Sequence, residues 1–391
     1  MLGLVLTLLA SAAGGEGVFG AELIFDPNPK HNHGSSVVQT PDGDLLACWF
    51  HGSGERTADD VLIQGARKRA GSSAWSEPFL MADTPDLPDC NPVLFVDPRH
   101  TLWLFWITVQ SNEWGSSLLK YRTATQYTSD GPPEWSWQEV IHCRPMNLEP
   151  LFGDLLAKAE PVLAPLLGAN PELADAVAGL KAALNDKLMR RLGWMTRVHP
   201  IMTSGNRLLL GLYSDVFNCS LAVATEDWGA TWRFSEPILT IQLGNIQPSF
   251  VPKRDGAIVA MMRDNGLPKR VRKSESHDAG ITWGPVELME IPNPGSSVEC
   301  VALANGHWVL VCNDTLDGRH VLSAYLSEDD GASWPWSRRI EDMEKDRGSA
   351  SYPSVIEDRD GLVHCTYSFT SAAFRGSSIK HAWFDEVWIR Q

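Results

Sequence analysis

The sequence predicts an all-β fold, a six-bladed β-propeller with an inserted helical hairpin. Three observations support this prediction: an octapeptide that recurs at a constant interval, short apolar segments separated by turn residues, and one helix-like stretch in mid-chain. A constant interval of this size indicates a repeat architecture, in which each unit packs against its neighbours. A β-sandwich is the alternative for short strands of this kind, but it would not explain the interval.

The octapeptide has the pattern Ser/Thr-x-Asp-x-Gly-x-Thr/Ser-Trp, and its copies begin at residues 225, 276 and 327, an interval of 51 residues each time. Asp and Gly favour a tight turn between two strands, in which the Asp side chain accepts hydrogen bonds from nearby backbone N–H groups. The Trp that follows can bury its ring between neighbouring units. We call these octapeptides the Trp turns, and we expect Asp227, Asp278 and Asp329 to be structural and to lie on the far face of the propeller.

Six units follow one another along the chain, and in each a first strand ends at a turn just before an apolar second strand. In the first unit, for example, Asp42-Gly43 precedes the apolar run Leu45–Phe50. Trp75 and Trp135 mark degenerate Trp turns in units one and two. The sixth unit lacks one strand, and we expect Ala21–Phe25 to supply it and to close the ring. The units begin near residues 33, 91, 196, 247, 297 and 352.

Residues 148–192 interrupt this pattern with a stretch rich in Leu, Ala, Glu and Lys. Apolar residues recur there at helical spacing, at Leu173, Val177, Leu180 and Leu184. Asn170-Pro171 is typical of a helix start, with an N-cap residue and Pro in the first turn. We therefore predict two helices, over 150–167 and 171–192, on the face where the inner strands begin. This hairpin is either a decorative or oligomerising insertion or the rim of a pocket.

The composition excludes some classes of partner and of site. A formal net charge of −15 argues against nucleic acid or an anionic membrane as the main partner. It is compatible with an acidic sugar, because a few Arg residues can dominate the potential of one pocket. Seven Cys are scattered through apolar runs without CxxC spacing, which indicates buried side chains rather than a disulfide framework or a zinc site.

Met1–Ala21 resembles an export signal, with an apolar run over residues 2–13 and small residues after it. A buried N-terminal strand or a mis-assigned start is the alternative, because the usual positive charge near the start is missing. No other apolar run is long enough to span a bilayer. We therefore predict a soluble propeller over residues 22–391, exported to the periplasm or the extracellular space.

The inner strands of a propeller line one axial funnel, so their first residues meet at the axis. Counting back a constant nine residues from the turn of each unit gives six such positions: Gly34, Asn91, Thr196, Gln247, Ser297 and Tyr352. His33 and Arg197 are adjacent to two of them. A ring of convergent polar groups is the default hypothesis for a binding or active site.

These motifs resemble those of the sialidase-type six-bladed propellers, the proteins with BNR or Asp-box repeats, over nearly the whole chain outside the N-terminal segment and the insertion. In that family a Tyr is the nucleophile, a Glu assists it, three Arg bind the substrate carboxylate, and an Asp of the first blade is the acid/base. The resemblance implies an exo-α-sialidase-like glycoside hydrolase. It implies that Tyr352 is the nucleophile, that Arg263 and Arg319 bind the carboxylate, and that Asp60, or alternatively Asp59, is the acid/base.

Two positions depart from the family pattern and resemble a divergent bacterial branch. His33 stands in place of the first-blade Arg, and Gln247 stands in place of the Glu. Gln cannot take a proton from Tyr352, and a phenol with an ordinary pKa near ~10 is a poor nucleophile at neutral pH. His33, His199 and Glu299 are candidates to replace the missing base.

The candidate residues suit the chemistry of an acidic sugar. The planar guanidinium groups of Arg263 and Arg319 can bind a carboxylate in bidentate fashion. A neutral Tyr avoids the repulsion that a carboxylate nucleophile would meet from such a substrate. Asn91, Arg197 and His199 are further candidates for substrate binding. Because Arg197 and His199 alternate along one strand, we expect only one of them to face the funnel.

Three functions remain open at this point, and all involve an acidic glycan. The first is an exported hydrolase that releases terminal sialic acid with Tyr352 as nucleophile. The second is a carbohydrate-binding propeller without catalysis, which Gln247 and His33 would favour. The third is a lyase that cleaves uronate polysaccharides with Tyr and His as base and acid. We predict no cofactor and no metal, because His31 and His33 form a pair without a Cys or carboxylate partner nearby.

Overall fold

The computed structural model describes residues 16–203 and 205–391, and it confirms the six-bladed β-propeller. Six antiparallel four-stranded sheets, the blades, follow one another around a central axis. A strand β1 (Phe19–Leu23) precedes blade one. Blade one contains β2 (His31–Gln39), β3 (Leu45–Gly52), β4 (Leu62–Lys68) and β5 (Phe79–Ala82). Blade two contains β6 (Asp89–Val96), β7 (Leu102–Val109), β8 (Ser117–Ala124) and β9 (Trp137–Val140).

The remaining blades repeat this arrangement. Blade three contains β10 (Ile201–Thr203), β11 (Arg207–Ser214), β12 (Cys219–Thr225) and β13 (Arg233–Phe234). Blade four contains β14 (Asn245–Pro252), β15 (Ile258–Asp264), β16 (Arg270–Ser276) and β17 (Glu287–Pro292). Blade five contains β18 (Glu299–Ala302), β19 (Trp308–Asn313), β20 (Val321–Ser327) and β21 (Trp336–Asp342). Blade six contains β22 (Gly348–Glu357), β23 (Val363–Ser371), β24 (Ser378–Phe384) and, as its outer strand, β1.

The N-terminal strand closes the ring, two residues earlier than the predicted Ala21–Phe25. β1 pairs antiparallel with β24 in the register Ala21↔Ala382. The strand ends at Leu23 because the chain bends there, and Phe25 turns inward to stack on Trp49 of blade one at 4.8 Å between ring centres. Residues 1–15 of the predicted export signal lie outside the described residues, whereas 19–21 belong to the closing strand.

A buried polar network holds this closing strand in place. The Glu22 carboxylate accepts hydrogen bonds from the indole Nε1 of Trp75 (2.9 Å) and from Lys68. His381 Nδ1 lies 3.1 Å from the same carboxylate oxygen, and its Nε2 lies 2.9 Å from Nδ1 of His364. Blades six and one are therefore joined through ionisable groups as well as through apolar packing.

We expect this network to make the stability of the protein fall below neutral pH. Burial lowers the pKa of His381 from 6.5 to about 4. The unfolded chain binds the proton more readily, so the stability due to neutral His381 is complete above about pH 6.5 and declines as the pH falls towards about 4. Urea unfolding should give a free energy about 2 kcal/mol lower at pH 5 than at pH 7 from this group. His381→Gln should flatten that slope, whereas the control His277→Gln, at an exposed side chain, should retain it.

The Trp turns join the third and fourth strands of blades three, four and five, at the far end from the axial ring, as predicted. Asp278 Oδ1 accepts a hydrogen bond from the Thr282 backbone N–H (2.9 Å) and Oδ2 accepts one from the Thr282 hydroxyl (2.6 Å). Asp227 and Asp329 make the equivalent bonds to Thr231 and Ser333. Two features require the glycine of the turn. Gly331 has a φ of 77°, and a Cβ at this position would lie 2.6 Å from the Trp308 ring.

The insertion forms the predicted helical hairpin, with α1 (Leu148–Ala169) and α2 (Pro171–Asn185). The Asn170 side chain caps α2 by accepting a hydrogen bond from the Leu173 N–H at 3.1 Å. The predicted end of α2 at residue 192 is wrong, because Asp186 adopts an extended conformation and the chain continues in separate turns. The chain ends with a short helix, α3 (Glu386–Arg390). Among the described residues, no helix has the length and apolar character that a membrane crossing requires.

Candidate active site

Four of the six predicted ring positions lie in β-bulges. Each of the four has a positive φ: Gly34 (62°), Asn91 (51°), Gln247 (56°) and Tyr352 (60°). Each also lies within a register shift between the first and second strands of its blade. A left-handed backbone is a genuine outlier for a side chain as large as Tyr, and strain of this kind concentrates at functional sites. The shared bulge explains how residues from different blades are turned towards one axis.

The Tyr352 side chain lies at the axis among cations, as the sequence predicted. Its hydroxyl accepts a hydrogen bond from Nη1 of Arg263 at 2.8 Å. The guanidinium carbons of Arg319 and Arg197 each lie 5.1 Å from the centre of the Tyr352 ring. The His33 ring is also close, at 4.2 Å between ring centres. Residues that are distant in the sequence therefore form one cluster.

The cations adjust the acidity of the phenol. Burial alone would raise the pKa of Tyr352, but the charges of Arg263 and Arg319 and a hydrogen bond from Gln247 outweigh it, so the pKa lies below its ordinary value of 10. Glu55 acts in the opposite direction through its negative charge. The arginines therefore make the Tyr352 hydroxyl more acidic than that of an ordinary tyrosine.

Gln247 lies among neutral groups. Its buried side chain acts to lower the pKa of both the Tyr352 and the Tyr213 hydroxyl, as an N–H donor does. The Tyr213 hydroxyl also accepts a hydrogen bond from Nδ2 of Asn91 at 3.0 Å. The amide oxygen of Gln247 has no hydrogen-bond partner among the described residues, so the amide nitrogen is the group that faces the phenols. Gln247 therefore acts as a donor where the family's Glu would accept a proton.

Gln247→Glu should raise the pKa of Tyr352, because it replaces this N–H donor with a negative charge beside the hydroxyl. The near-ultraviolet absorbance of tyrosinate, titrated in the variant and in wild type, measures the shift. The same titration of Tyr352→Phe identifies which part of the signal belongs to this residue. An unchanged or lowered pKa would contradict the donor role of Gln247.

His33 is close to the cluster but does not replace the charge of the family's Arg. Burial lowers its pKa well below 6.5, and the neighbouring His31 and arginines lower it further. The ring is therefore neutral at physiological pH. It can offer a hydrogen bond to a substrate but no positive charge, so Arg263 and Arg319 are the cations available at the Tyr352 hydroxyl side.

Arg197 and His199 both reach the axis, so the expectation that only one of them would do so is wrong. Residues two apart in an extended chain point to the same side. Arg197 is buried and donates to the Tyr352 carbonyl oxygen at 2.7 Å. His199 contacts Glu299 (Nδ1 to Oε1, 2.7 Å) and the carbonyl oxygen of Val37 (2.8 Å). These bonds hold the inner strands together, and they leave His199 and Glu299 without a hydrogen bond to the Tyr352 hydroxyl.

Asp60, the predicted acid/base, is engaged in an ion pair with Lys30. Its Oδ2 lies 2.6 Å from Nζ of Lys30 and 2.6 Å from the Ser53 hydroxyl. These hydrogen bonds lower the pKa of Asp60 well below its ordinary range, so the carboxyl group stays ionised at neutral pH. The alternative, Asp59, accepts a hydrogen bond from Nδ2 of Asn112 at 2.9 Å.

Sequence reasoning missed three groups near the cluster, namely Tyr213, Glu55 and Asp215. Glu55 Oε1 lies 3.1 Å from Nε2 of His31, whose ring is 5.2 Å from that of His33. Asp215 follows β11 directly, at the end of the strand that carries Tyr213. For Tyr213 and Asp215 the sequence contained a signal, because a Tyr interrupts the otherwise apolar strand β11 and an Asp follows that strand on the funnel side.

A family model identifies the repeats. The model of the BNR repeat-like domain matches residues 43–164 and 188–365, which is more than half of the chain. The chain belongs to this family. The gap between the two matched segments contains α2 and the last turn of α1, so this part of the hairpin lies outside the match. No curated protein matches the sequence.

Solved structures with the same fold include sialidases. A Dyadobacter fermentans protein of unknown function has a TM-score of 0.69 at 15% identity, over 93% of this chain and 97% of that chain. The NanB sialidase of Streptococcus pneumoniae has a TM-score of 0.68 at 12% identity, over 94% of this chain and 71% of that one. The intramolecular trans-sialidase of Ruminococcus gnavus has a TM-score of 0.67 at 12% identity, over 92% and 96%. At identities of 12–15% these similarities show that the chain shares the fold of the three proteins.

Proposed function

We propose that this protein is a glycoside hydrolase that releases a terminal acidic sugar, with sialic acid as the first candidate. One observation carries the proposal: the Tyr352 hydroxyl accepts a 2.8 Å hydrogen bond from Arg263 while Arg319 lies 5.1 Å from the same ring. A nucleophilic oxygen and two cations therefore meet at one point of the funnel. That combination suits a sugar whose carboxylate lies beside its anomeric carbon.

The arginines have hydrogen-bonding capacity for such a carboxylate. Arg319 donates one hydrogen bond, from Nη2 to the Gly295 carbonyl oxygen at 3.0 Å, among the described residues. Its other N–H groups are free to bind a ligand. Arg263 is held in orientation by Asn265, whose Oδ1 accepts from Nη2 at 3.0 Å. A carboxylate at this position would neutralise the cations and leave Tyr352 directed at the adjacent carbon.

The chemistry follows from these positions. The Tyr352 hydroxyl first loses its proton to solvent, and Arg263, Arg319 and Gln247 stabilise the phenolate. The phenolate oxygen attacks the anomeric carbon as the bond to the aglycone oxygen breaks, and the aglycone oxygen takes up a proton. A water molecule then gives up a proton and bonds to the same carbon, which releases Tyr352 as phenolate, so the configuration is retained. The two guanidinium groups offset the charge of the tyrosinate, so it meets less repulsion from an anionic sugar than an unpaired carboxylate nucleophile would.

A carbohydrate-binding propeller without catalysis is the second candidate. Gln247 favours it, because the site contains an amide where a proton acceptor would be expected. A neutral His33 favours it as well, since a clamp of two arginines can still bind an acidic glycan. Binding with no turnover of any acidic glycoside would support this candidate.

Hydrolysis of a fluorogenic sialoside by the purified protein tests the first candidate. Turnover of the wild-type protein, with loss of turnover in Tyr352→Phe, is the expected result. Calorimetric binding of free sialic acid and of sialyllactose, without turnover, would favour the binding module. Release of an unsaturated uronate from a polysaccharide, detected by its ultraviolet absorbance, would favour a lyase in place of both.

Export of the protein belongs to the same proposal, because glycan substrates of this kind lie outside the cytoplasm. Cleavage of an export segment after Ala21 would remove the first three residues of β1, whereas cleavage before Phe19 would leave the strand complete. We therefore expect the mature N-terminus to precede Phe19. The mass of the protein recovered from the periplasm or the medium measures its position.

A further inference from the structure

Lys269 lies close to the arginines of the Tyr352 cluster, in the loop that joins β15 to β16. A Cβ placed on Gly295 would lie 3.9 Å from Nζ of Lys269 and 3.9 Å from Nη2 of Arg263. The carbonyl oxygen of the same glycine accepts a hydrogen bond from Nη2 of Arg319 at 3.0 Å. Three cationic side chains from blades four and five therefore meet at Gly295.

The distances allow one carboxylate to bridge two of these cations. Nζ of Lys269 and Nη2 of Arg263 each lie 3.9 Å from a single point. A carboxylate has two oxygens about 2.2 Å apart and accepts charge-assisted hydrogen bonds of about 2.8 Å, so it can reach both nitrogens. Gly295 has no side chain, whereas any larger residue would project into the space between the two cations.

The backbone holds Lys269 in a strained conformation. Its φ is 56°, a left-handed value that is uncommon for a residue other than glycine. Its carbonyl oxygen accepts a hydrogen bond from the Asn293 N–H at 2.9 Å. The side chain of Asn293 is buried and accepts a hydrogen bond from the Gly295 N–H at 3.1 Å. Asn293 thus fixes both the lysine and the glycine, and strain that is maintained in this way concentrates at functional sites.

The cations beside Gly295 have donors available for an anion. The ammonium group of Lys269 makes no hydrogen bond and no ion pair in the part of the chain that the structure describes. Nε of Arg263, on the same edge of the guanidinium group as Nη2, is buried and has no partner among the described residues. Asp317 has a lowered pKa, mainly through its 2.7 Å hydrogen bond from Lys345 and to a smaller extent through the charge of Lys269. The carboxylate of Asp317 is therefore engaged elsewhere.

We propose that Lys269 is a substrate-binding residue that contacts the carboxylate of the acidic sugar together with Arg263 and Arg319, an assignment that rests on the proposed function. The site then has three cations for the carboxylate, although the neutral His33 provides none. The third cation comes from blade four, whereas the family's third arginine lies in blade one. The carboxylate is held from blades four and five, beside the Tyr352 hydroxyl to which Arg263 donates.

The test compares two ligands that differ only in the carboxylate. One is free sialic acid, and the other is its analogue with a CH2OH group in place of the carboxylate. Calorimetry measures the affinity for each. We expect Lys269→Met to weaken binding of sialic acid by about 10- to 100-fold, because it removes a charge-assisted hydrogen bond. Its affinity for the analogue should change by less than about 3-fold, and Lys269→Arg, which keeps the charge, should bind sialic acid within about 5-fold of wild type.

Lys273→Met is the matched control for this experiment. Lys273 also belongs to blade four, where it forms an exposed ion pair with Glu287, and such a pair contributes little to stability. This variant should bind both ligands as the wild type does. An unchanged melting temperature of Lys269→Met would show that the loss of affinity does not come from unfolding.

The possible outcomes separate the role of Lys269 from the proposed function. Equal losses of affinity for the two ligands in Lys269→Met overturn the assignment, as does an affinity for sialic acid within about 3-fold of wild type. A wild type that prefers sialic acid to the analogue but releases none from sialyllactose overturns the hydrolase alone. A wild type that binds the two ligands equally overturns the carboxylate site and the assignment of Lys269 together.

Discussion

Replacement of Tyr352 by Phe is expected to reduce kcat for sialoside hydrolysis by about 1000-fold or more. The substitution deletes the attacking oxygen, and loss of a covalent nucleophile removes the step rather than weakening it. The ring remains, so its contacts with His33 and Arg197 and the positive φ of the residue are retained. Initial rates and affinity for free sialic acid, measured on the same preparation, separate the loss of chemistry from the loss of binding.

Tyr127→Phe is the matched control for this experiment. Tyr127 is buried on the outside of the ring, where its hydroxyl donates to the carbonyl oxygen of His100 at 2.8 Å. The change should cost about 1 kcal/mol of stability and leave kcat unchanged. Retention of more than about a tenth of the wild-type kcat by Tyr352→Phe would end the nucleophile assignment.

Removal of either arginine is expected to have the next largest effect, with a different kinetic signature at each position. Arg319→Ala removes a cation that lies over the Tyr352 ring and makes no hydrogen bond to its hydroxyl, so we expect mainly a higher KM, by about 30- to 1000-fold. Arg263→Ala removes the donor to the Tyr352 hydroxyl as well, so kcat should fall too. The phenol pKa should rise in Arg263→Ala, because a positive charge and a hydrogen bond are lost together. Steady-state kinetics and a tyrosinate titration measure both effects.

Arg339→Ala is the control for the arginine variants. Arg339 forms an exposed ion pair with Asp342 on the outer strand of blade five, and such a pair contributes little to stability. KM and kcat should match wild type. Equal effects of Arg263→Ala and Arg319→Ala on KM, with no effect on kcat or on the phenol pKa, would contradict the separate role of Arg263.

These expectations have one physical basis, which is that positive charge can replace a base. A carboxylate beside Tyr352 would accept its proton, whereas guanidinium groups and an amide N–H stabilise the phenolate that remains after the proton has left. Both arrangements favour the ionised Tyr352 oxygen. With guanidinium groups and an amide, however, no neighbouring side chain holds the proton that Tyr352 has lost. The proton needed by the leaving group must then come from another donor.

The periodic features of this protein could be predicted from the sequence because they depend on local rules. The Trp turns require Asp, Gly and Trp at constant spacing, and their interval of 51 residues implied repeated blades. The same registration located Gln247 and Tyr352, since the bulge recurs at an equivalent place in each blade. Asn170-Pro171 located the start of α2 for a similar reason, because helix caps involve only neighbouring residues.

The tertiary structure alone decided which charged groups face each other. Lys30 and Asp60 are 30 residues apart in the sequence, and Arg263 and Tyr352 are 89 apart, so no local pattern pairs them. The fold brings Lys30 to Asp60 and Arg263 to Tyr352, which lowers the pKa of each acidic group. Burial and charge pairing act through space between blades that are distant in the chain, so the assignment of roles depended on coordinates whereas the fold did not.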